Sequence, residues 1–416
     1  MDIAIIGTGI AGLTVAHGLH RRHRVTMYEA ADWIGGHTHT LDVTVQGRDY
    51  AVDTGFIVFN DRTYPNFVRL LDELGVASQP TTMSFSVRCP RTGLEYNGNN
   101  LNTLFAQRRN LLRPAFYAML RDILRFNREA PRLLEHSETP TLGEYLRAHG
   151  YGSGFVEHYL VPMAAAIWSA EPARMLEMPA PNFIRFFRNH GLLSLNDRPQ
   201  WRVIQGGSRE YVKRLTAPFR DRIRLACPVR RVRRLPNRVE LVTAAGTESY
   251  DQVVFATHSD QALGLLADPG RAERAVLGAI PYQDNSVVLH TDTGLLPRRR
   301  LAWAAWNYHL AGPPQQGATV TYNMNLLQGL DAPETFCVTL NHDHAIDPGR
   351  ILARMHYQHP LFTPAAVAAQ ARHGEINGVN RTWYCGAYWG NGFHEDGVVS
   401  ALRVVEGLGA EERLAA

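Results

Sequence analysis

The chain has 416 residues, more than one ordinary hydrophobic core supports, so two domains are expected. With 45% hydrophobic and 20% charged residues it reads as a globular enzyme, which excludes a disordered or fibrous chain. A net charge of +4 is too small to argue for a nucleic-acid partner.

The first element is a strand, Met1 to Ile6, running straight into Gly7-Thr8-Gly9-Ile10-Ala11-Gly12 and then a helix. Glu29 closes a second strand-like run that begins at Arg24. All of this falls within one βαβ-sized unit. Gly7 allows the tight turn, Gly9 lets the backbone approach a pyrophosphate, and Gly12 lets the helix pack closely on the strand. The helix N-terminus offers free N–H groups and a positive dipole end to phosphates. Glu29 is placed to accept a hydrogen bond from a ribose 2′-hydroxyl, and its charge disfavours a 2′-phosphate. The bland alternative is a plain βα turn, but the acid at this spacing favours an adenine dinucleotide, FAD or NAD. The apolar start lacks the basic n-region of a signal peptide.

Further along come Gly35-Gly36-His37-Thr38, strands around Leu41 to Val45 and Tyr50 to Val52, and the loop Asp53-Thr54-Gly55-Phe56. A helix fits Pro65 to Leu74, with Gly75 as its stop. Residues from about 100 to 200 read as mostly helical. There Phe116, Met119, Leu120, Ile123 and Leu124 form an apolar stripe, and Thr141 with Glu144 makes a capping box. Strands return over 223–255 and about 284–342. The chain closes with Thr382 to Gly386, a glycine-rich turn and a helix from about Gly397 to Leu408. This alternation predicts an α/β protein: a Rossmann-like nucleotide domain built from residues 1–78, 203–283 and 372–416. Insertions 79–202 and 284–371 would form a substrate domain of helices plus a β-sheet.

Other features have ordinary explanations. The four cysteines, Cys89, Cys227, Cys337 and Cys385, form no CxxC pair, which fits a reducing, cytoplasmic compartment without zinc or disulfides. Eighteen histidines include no HExxH spacing, so no metal is expected. Trp168, Trp201, Trp303, Trp306 and Trp389 could line an apolar tunnel, although core packing is the usual role of any one of them. No apolar run approaches the length of a membrane span. The run Arg108 to Tyr117 sets basic residues beside apolar ones, the pattern either of a solvated helix face or of a peripheral contact with the inner membrane surface.

The dinucleotide loop, Gly35-Gly36, Asp53-Thr54-Gly55 and the segment Gly386, Gly390, Gly392 and Gly397 together resemble the flavoprotein superfamily of monoamine oxidases, protoporphyrinogen oxidases and phytoene-type desaturases. The resemblance covers essentially the whole chain and implies FAD. Within it, Gly392 to Gly397 and Trp201 to Ser208 are most similar to a bacterial branch tied to cyclopropane and methylated fatty-acid metabolism, including a desaturase of methylated acyl chains in furan fatty-acid formation. Carried over by position, the resemblance puts the diphosphate at Gly7, Gly9, Ile10 and Ala11, and the adenosine ribose at Glu29. It puts the ribityl and diphosphate region at Gly36, His37 and Thr38, and adenine at Val229. It also sets Thr54, Gly55, Phe56 and Gly386 along the flavin, with the pyrimidine at the helix start Gly397-Val398.

Departures from the superfamily narrow the chemistry. His37 replaces the usual arginine, and Ala387 replaces an acid whose work Asp396 or backbone groups would have to take over. Amine oxidases carry a lysine near the flavin, whereas the strand that should supply it, Asn285 to Leu289, has none. Val398 replaces an aromatic of their amine cage. The expectation is an FAD-dependent oxidase or desaturase that removes hydride from an apolar substrate of the methylated or cyclopropane fatty-acyl (phospholipid) class. His394 or Glu395 would be the base if a proton also leaves. The alternatives are a flavin amine oxidase and a flavin-bearing partner of a lipid methyltransferase.

Overall fold

A computed structural model describes residues 1–310 and 317–415, the last six of these as backbone only. The opening strand, Asp2–Ile6, is buried on both faces and sits in the middle of a five-stranded parallel sheet. On one side lie Arg24–Tyr28 and then Ile223–Arg224; on the other lie Gln252–Phe255 and then Thr382–Tyr384. Such a sheet buries both faces, which is why Ile3-Ala4-Ile5 and Val253-Val254-Phe255 are fully enclosed apolar runs. The helix Ile10–Leu19 packs against the C-terminal helix His394–Ala415, and both cover one face of this sheet. A three-stranded antiparallel sheet, Arg231–Arg234, Val239–Thr243 and Gly246–Tyr250, joins the core on the other face.

The second large sheet has seven strands, in the order Ile351–Pro360, Tyr282–His290, Cys337–Leu340, Val320–Asn323, Trp306–His309, Phe85–Cys89 and Leu94–Asn97. All pairings are antiparallel except that between Trp306–His309 and Phe85–Cys89. Helices from the 114–189 region pack on it to form the largest apolar cluster. The chain passes between the two sheets repeatedly, since strands of the first come from three separated stretches.

The helix Pro114–Glu129 differs from the expected stripe. Phe116, Met119 and Phe126 are buried, but Leu124 is 53% exposed and Asp122 is buried instead. Asp122 turns inward because its carboxylate accepts the Gly152 N–H at 3.0 Å, fixing the next loop. Thr141 and Glu144 form both bonds of the capping box at the start of Leu142–Ala148.

One buried carboxylate ties distant segments together. Asp53 ends the strand Arg48–Asp53 and accepts from Thr40 Oγ1 (2.6 Å), Ser208 N–H (2.9 Å), Ser208 Oγ (2.8 Å) and Gln328 Nε2 (3.1 Å). Its own N–H donates to Gln328 Oε1 at 2.9 Å. Burial raises its carboxyl to about 6 against the pull of these hydrogen bonds.

Candidate active site

The glycine loop folds as its sequence demands. Gly7 has φ +102°, and a Cβ there would meet Ala256 O at 2.7 Å. A Cβ on Gly12 would lie 2.2 Å from Gly7 O, so that position serves packing. Gly9, by contrast, has nothing within 4 Å of where its Cβ would be, because it opens on a cavity of about 720 Å³. Gly36 comes up against the same spot, where a Cβ on it would lie 3.2 Å from Gly9 Cα. Two loops thus present bare backbone to one end of the cavity. The first turn of Ile10–Leu19, whose leading N–H groups have no intrahelical acceptor, opens there too.

Glu29 lines the same end and is already occupied in part. Its carboxylate accepts Thr8 N–H (3.0 Å), Thr8 Oγ1 (2.6 Å) and Ala31 N–H (2.9 Å), leaving one lone-pair site of about four for a ligand. A bare-backbone cradle, a helix N-terminus and an acid with one acceptor site left fit the adenosine diphosphate part of FAD. Val229, Gly55, Phe56, Gly386 and His37 line the continuation of the cavity.

His37 does not behave as a substitute cation. Its ring is enclosed beside His258 and His359, with centroids at 6.2 and 5.3 Å, and Nε2 lies 3.2 Å from Gln358 O. Burial, reinforced by His258, pushes it down to about 4, so it is neutral at physiological pH. His394 also lines the cavity. Its ring stacks on Phe56 at a centroid distance of 3.4 Å, and Nε2 sits 3.0 Å from Thr38 Oγ1 and 3.1 Å from Tyr211 Oη. Burial first, then the neighbouring His37, hold His394 well below the ordinary histidine range.

Seven of the residues expected at the site do not line the cavity. Gly12 packs against the loop, and Gly397 packs against Ile10, whose Cγ2 lies 2.8 Å from where a Cβ would be. Thr38 is committed to Tyr211 and His394, and Thr54 to His39 O and Tyr357 Oη. Glu395 points away from the cavity and caps the helix Pro65–Glu73. It accepts Asn66 N–H (3.1 Å), Asn66 Nδ2 (2.6 Å) and Phe67 N–H (2.9 Å), so the structure withdraws it as a candidate base. Asp396 accepts the Phe393 N–H at 2.9 Å and so starts the C-terminal helix at His394 rather than Gly397. In that register the Val398 N–H is an interior position bonded back along the helix, and the free N–H groups lie at His394 to Asp396.

Of the five tryptophans that could line an apolar tunnel, Trp168, Trp201 and Trp306 do so, at the other end of the cavity. Met83, Ile167, Trp168, Phe186, Trp201 and Trp306 wall it, with Tyr64, His190, Leu192, Tyr322 and Phe393. Trp303 and Trp389 are not part of it; Trp303 donates to Pro297 O and Trp389 packs on His373. Only Glu29, at the nucleotide end, carries a formal charge among the lining residues. His190 and His258 are driven to about 4 and His359 to about 3, all by burial first. The single lysine of the chain, Lys213, lies on the surface, 2.7 Å from Glu210 Oε1. No lysine is available to the flavin region at all.

A family model described as flavin containing amine oxidoreductase matches residues 10–298. No curated protein matches the chain. Among solved structures, the chain is similar to a protein assigned as a protoporphyrinogen oxidase from Exiguobacterium sp. 255-15, with 19% identity, 99% of each chain covered and a TM-score of 0.71. It is also similar to cyclohexylamine oxidase from Brevibacterium oxydans IH-35A (16% identity, 98% of this chain and 99% of that one, TM-score 0.66). A CLA-producing fatty acid isomerase from P. acnes matches at 15% identity over 97% of each chain, with a TM-score of 0.67. At these identities the likeness establishes the fold alone. Together with the cradle at Gly9 and Gly36, the match over most of its length shows that the chain belongs to the flavin containing amine oxidoreductase family and is an FAD-dependent oxidoreductase.

Proposed function

We propose that the enzyme oxidises or desaturates an apolar, acyl-chain substrate, of the methylated or cyclopropane fatty-acyl class. The observation that carries this reading is the uncharged aromatic arm of the cavity, walled by Trp168, Phe186, Trp201 and Trp306. Such a wall removes apolar surface from water and offers no carboxylate to hold an ammonium group. The chain's only lysine lies on the surface, which counts against the amine-oxidase arrangement. The fatty acid isomerase among the similar folds is consistent with an acyl chain being housed in this architecture.

Held at Gly9, Gly36 and Glu29, FAD would supply a hydride acceptor that can be reoxidised by oxygen or another acceptor. The chain's own groups do the rest. Phe56 and the apolar arm orient the substrate and exclude water, which keeps the reacting C–H bond from competing solvent chemistry. If a proton leaves the adjacent carbon, His394 is the acceptor we assign. Burial keeps its ring unprotonated, free to take a proton although a weak base.

The test is anaerobic mixing of the holoenzyme with two panels, simple amines and methylated or cyclopropane phospholipids, while flavin absorbance is followed. Bleaching by the lipids supports the proposal. Bleaching by amines alone would favour the amine-oxidase reading, and a yellow protein that bleaches with neither would favour a flavin-bearing partner of a lipid methyltransferase.

A further inference from the structure

A second cavity, of about 340 Å³, lies on the far edge of the seven-stranded sheet and is lined by Arg88, Arg109, Arg298 and Arg299 around Glu95. Glu95 is buried and already spoken for. Its oxygens accept the backbone N–H of Arg298 at 3.0 Å and of Arg299 at 3.3 Å, and Arg88 Nε lies 3.8 Å away. Arg88 in turn donates to Gly294 O and Leu296 O. The guanidinium groups of Arg298 and Arg299 are exposed and, among the described residues, make no hydrogen bond or ion pair. The pocket is therefore net cationic, with two free forks that suit a phosphate.

Its rim is apolar. Leu101 is 76% exposed and Leu112 is 87% exposed, with Leu111, Tyr117 and Leu301 exposed beside them. The helix Leu101–Leu104 packs against the turn Arg300–Ala302, and Arg109 belongs to both the pocket and the turn Arg108–Leu112, so these segments form one face. No acidic residue occurs from Tyr96 to Arg121 or from Thr293 to Leu310. Large apolar side chains standing among uncompensated arginines are costly in water and matched by a lipid surface, where the leucines enter the acyl region and the arginines meet headgroup phosphates.

We propose that this face docks on an anionic phospholipid bilayer, with a headgroup phosphate seated between Arg298, Arg299 and Arg109. The inference stands whatever the flavin acts on. Its test is co-sedimentation of the holoenzyme with vesicles of phosphatidylcholine alone or of an equimolar mixture with phosphatidylglycerol. Binding is expected to the mixed vesicles and to weaken with salt. It should fall at least about tenfold both in Arg298→Gln/Arg299→Gln and in Leu111→Ser/Leu112→Ser, each variant keeping its flavin spectrum as evidence of folding. Absence of binding to mixed vesicles overturns the proposal, as does binding that neither variant weakens. Saturable binding of inorganic phosphate without vesicle binding would make the pocket a site for a soluble anion. Equal binding of heparin by wild type and the leucine variant, with vesicle binding also unaffected by the leucines, would reduce the face to a general ionic surface.

Discussion

Replacing Glu29 by alanine separates two roles that the structure gives one side chain. The carboxylate holds the glycine loop in place through Thr8 and Ala31, and it keeps one lone-pair site free at the nucleotide end of the cavity. Loss of a hydrogen bond from a charged acceptor to the FAD ribose costs roughly 1.5–3 kcal/mol, or about a 10- to 150-fold rise in Kd. The Thr8 and Ala31 N–H groups are freed beside the cavity, where water can satisfy them, so the fold should survive. Glu29→Gln keeps one acceptor oxygen and should sit between wild type and Glu29→Ala. The assay is titration of deflavinated protein with FAD, read by flavin fluorescence, with far-UV circular dichroism as the control. Unchanged FAD affinity in a folded Glu29→Ala protein would refute the ribose assignment.

The position of Glu395 predicts the opposite division. Glu395→Ala should lower stability by about 1–2 kcal/mol through loss of the cap on Pro65–Glu73, while flavin reduction stays within about twofold. Denaturant melts and anaerobic stopped-flow measure the two quantities; a hundredfold loss of reduction rate with unchanged stability would return Glu395 to the chemistry. Acid sensitivity follows from the buried histidines. His37, His190, His258, His290 and His309 are held at about 4 and His359 at about 3, below their unfolded value. Their contribution is fully present above the unfolded histidine range near 6.5 and is lost as pH falls through 4. Asp53 and Asp396, raised to about 6, act in the opposite sense, since the folded state takes up their protons first. Six histidines outweigh two carboxyls, at on the order of 1 kcal/mol per pH unit for each uncompensated proton. The melting temperature should therefore drop between pH 6.5 and pH 4, and a flat or rising profile would contradict the burial argument.

The nucleotide end was legible because its chemistry is local. The turn at Gly7, the close approach at Gly9 and the acid at Glu29 all belong to one short supersecondary unit. The apolar arm was legible only as a set of tryptophans, of which Trp168, Trp201 and Trp306 belong to it and Trp303 and Trp389 do not; their meeting with Met83 and Phe186 is decided by the tertiary fold. Glu395 misled because adjacent helix positions point about 100° apart, so a neighbour of His394 need not share its direction; its partners at Asn66 and Phe67 lie on a remote helix. The true start of the last helix did have a signal. Asp396, three residues after Phe393, supplies the return bond of a capping box.

The knot of hydrogen bonds on Asp53 has a mechanical meaning. It fastens Thr40, Ser208 and Gln328, from three distant parts of the chain, beside the loop that carries Gly55 and Phe56. A clamshell motion that pulled Ser208 and Gln328 away would leave the carboxylate with its hairpin neighbour Thr40 alone in a dry interior, an expensive intermediate. The knot therefore resists opening of the molecule at this point. Whatever enters the cavity meets a loop at Gly55 and Phe56 whose position is set before binding.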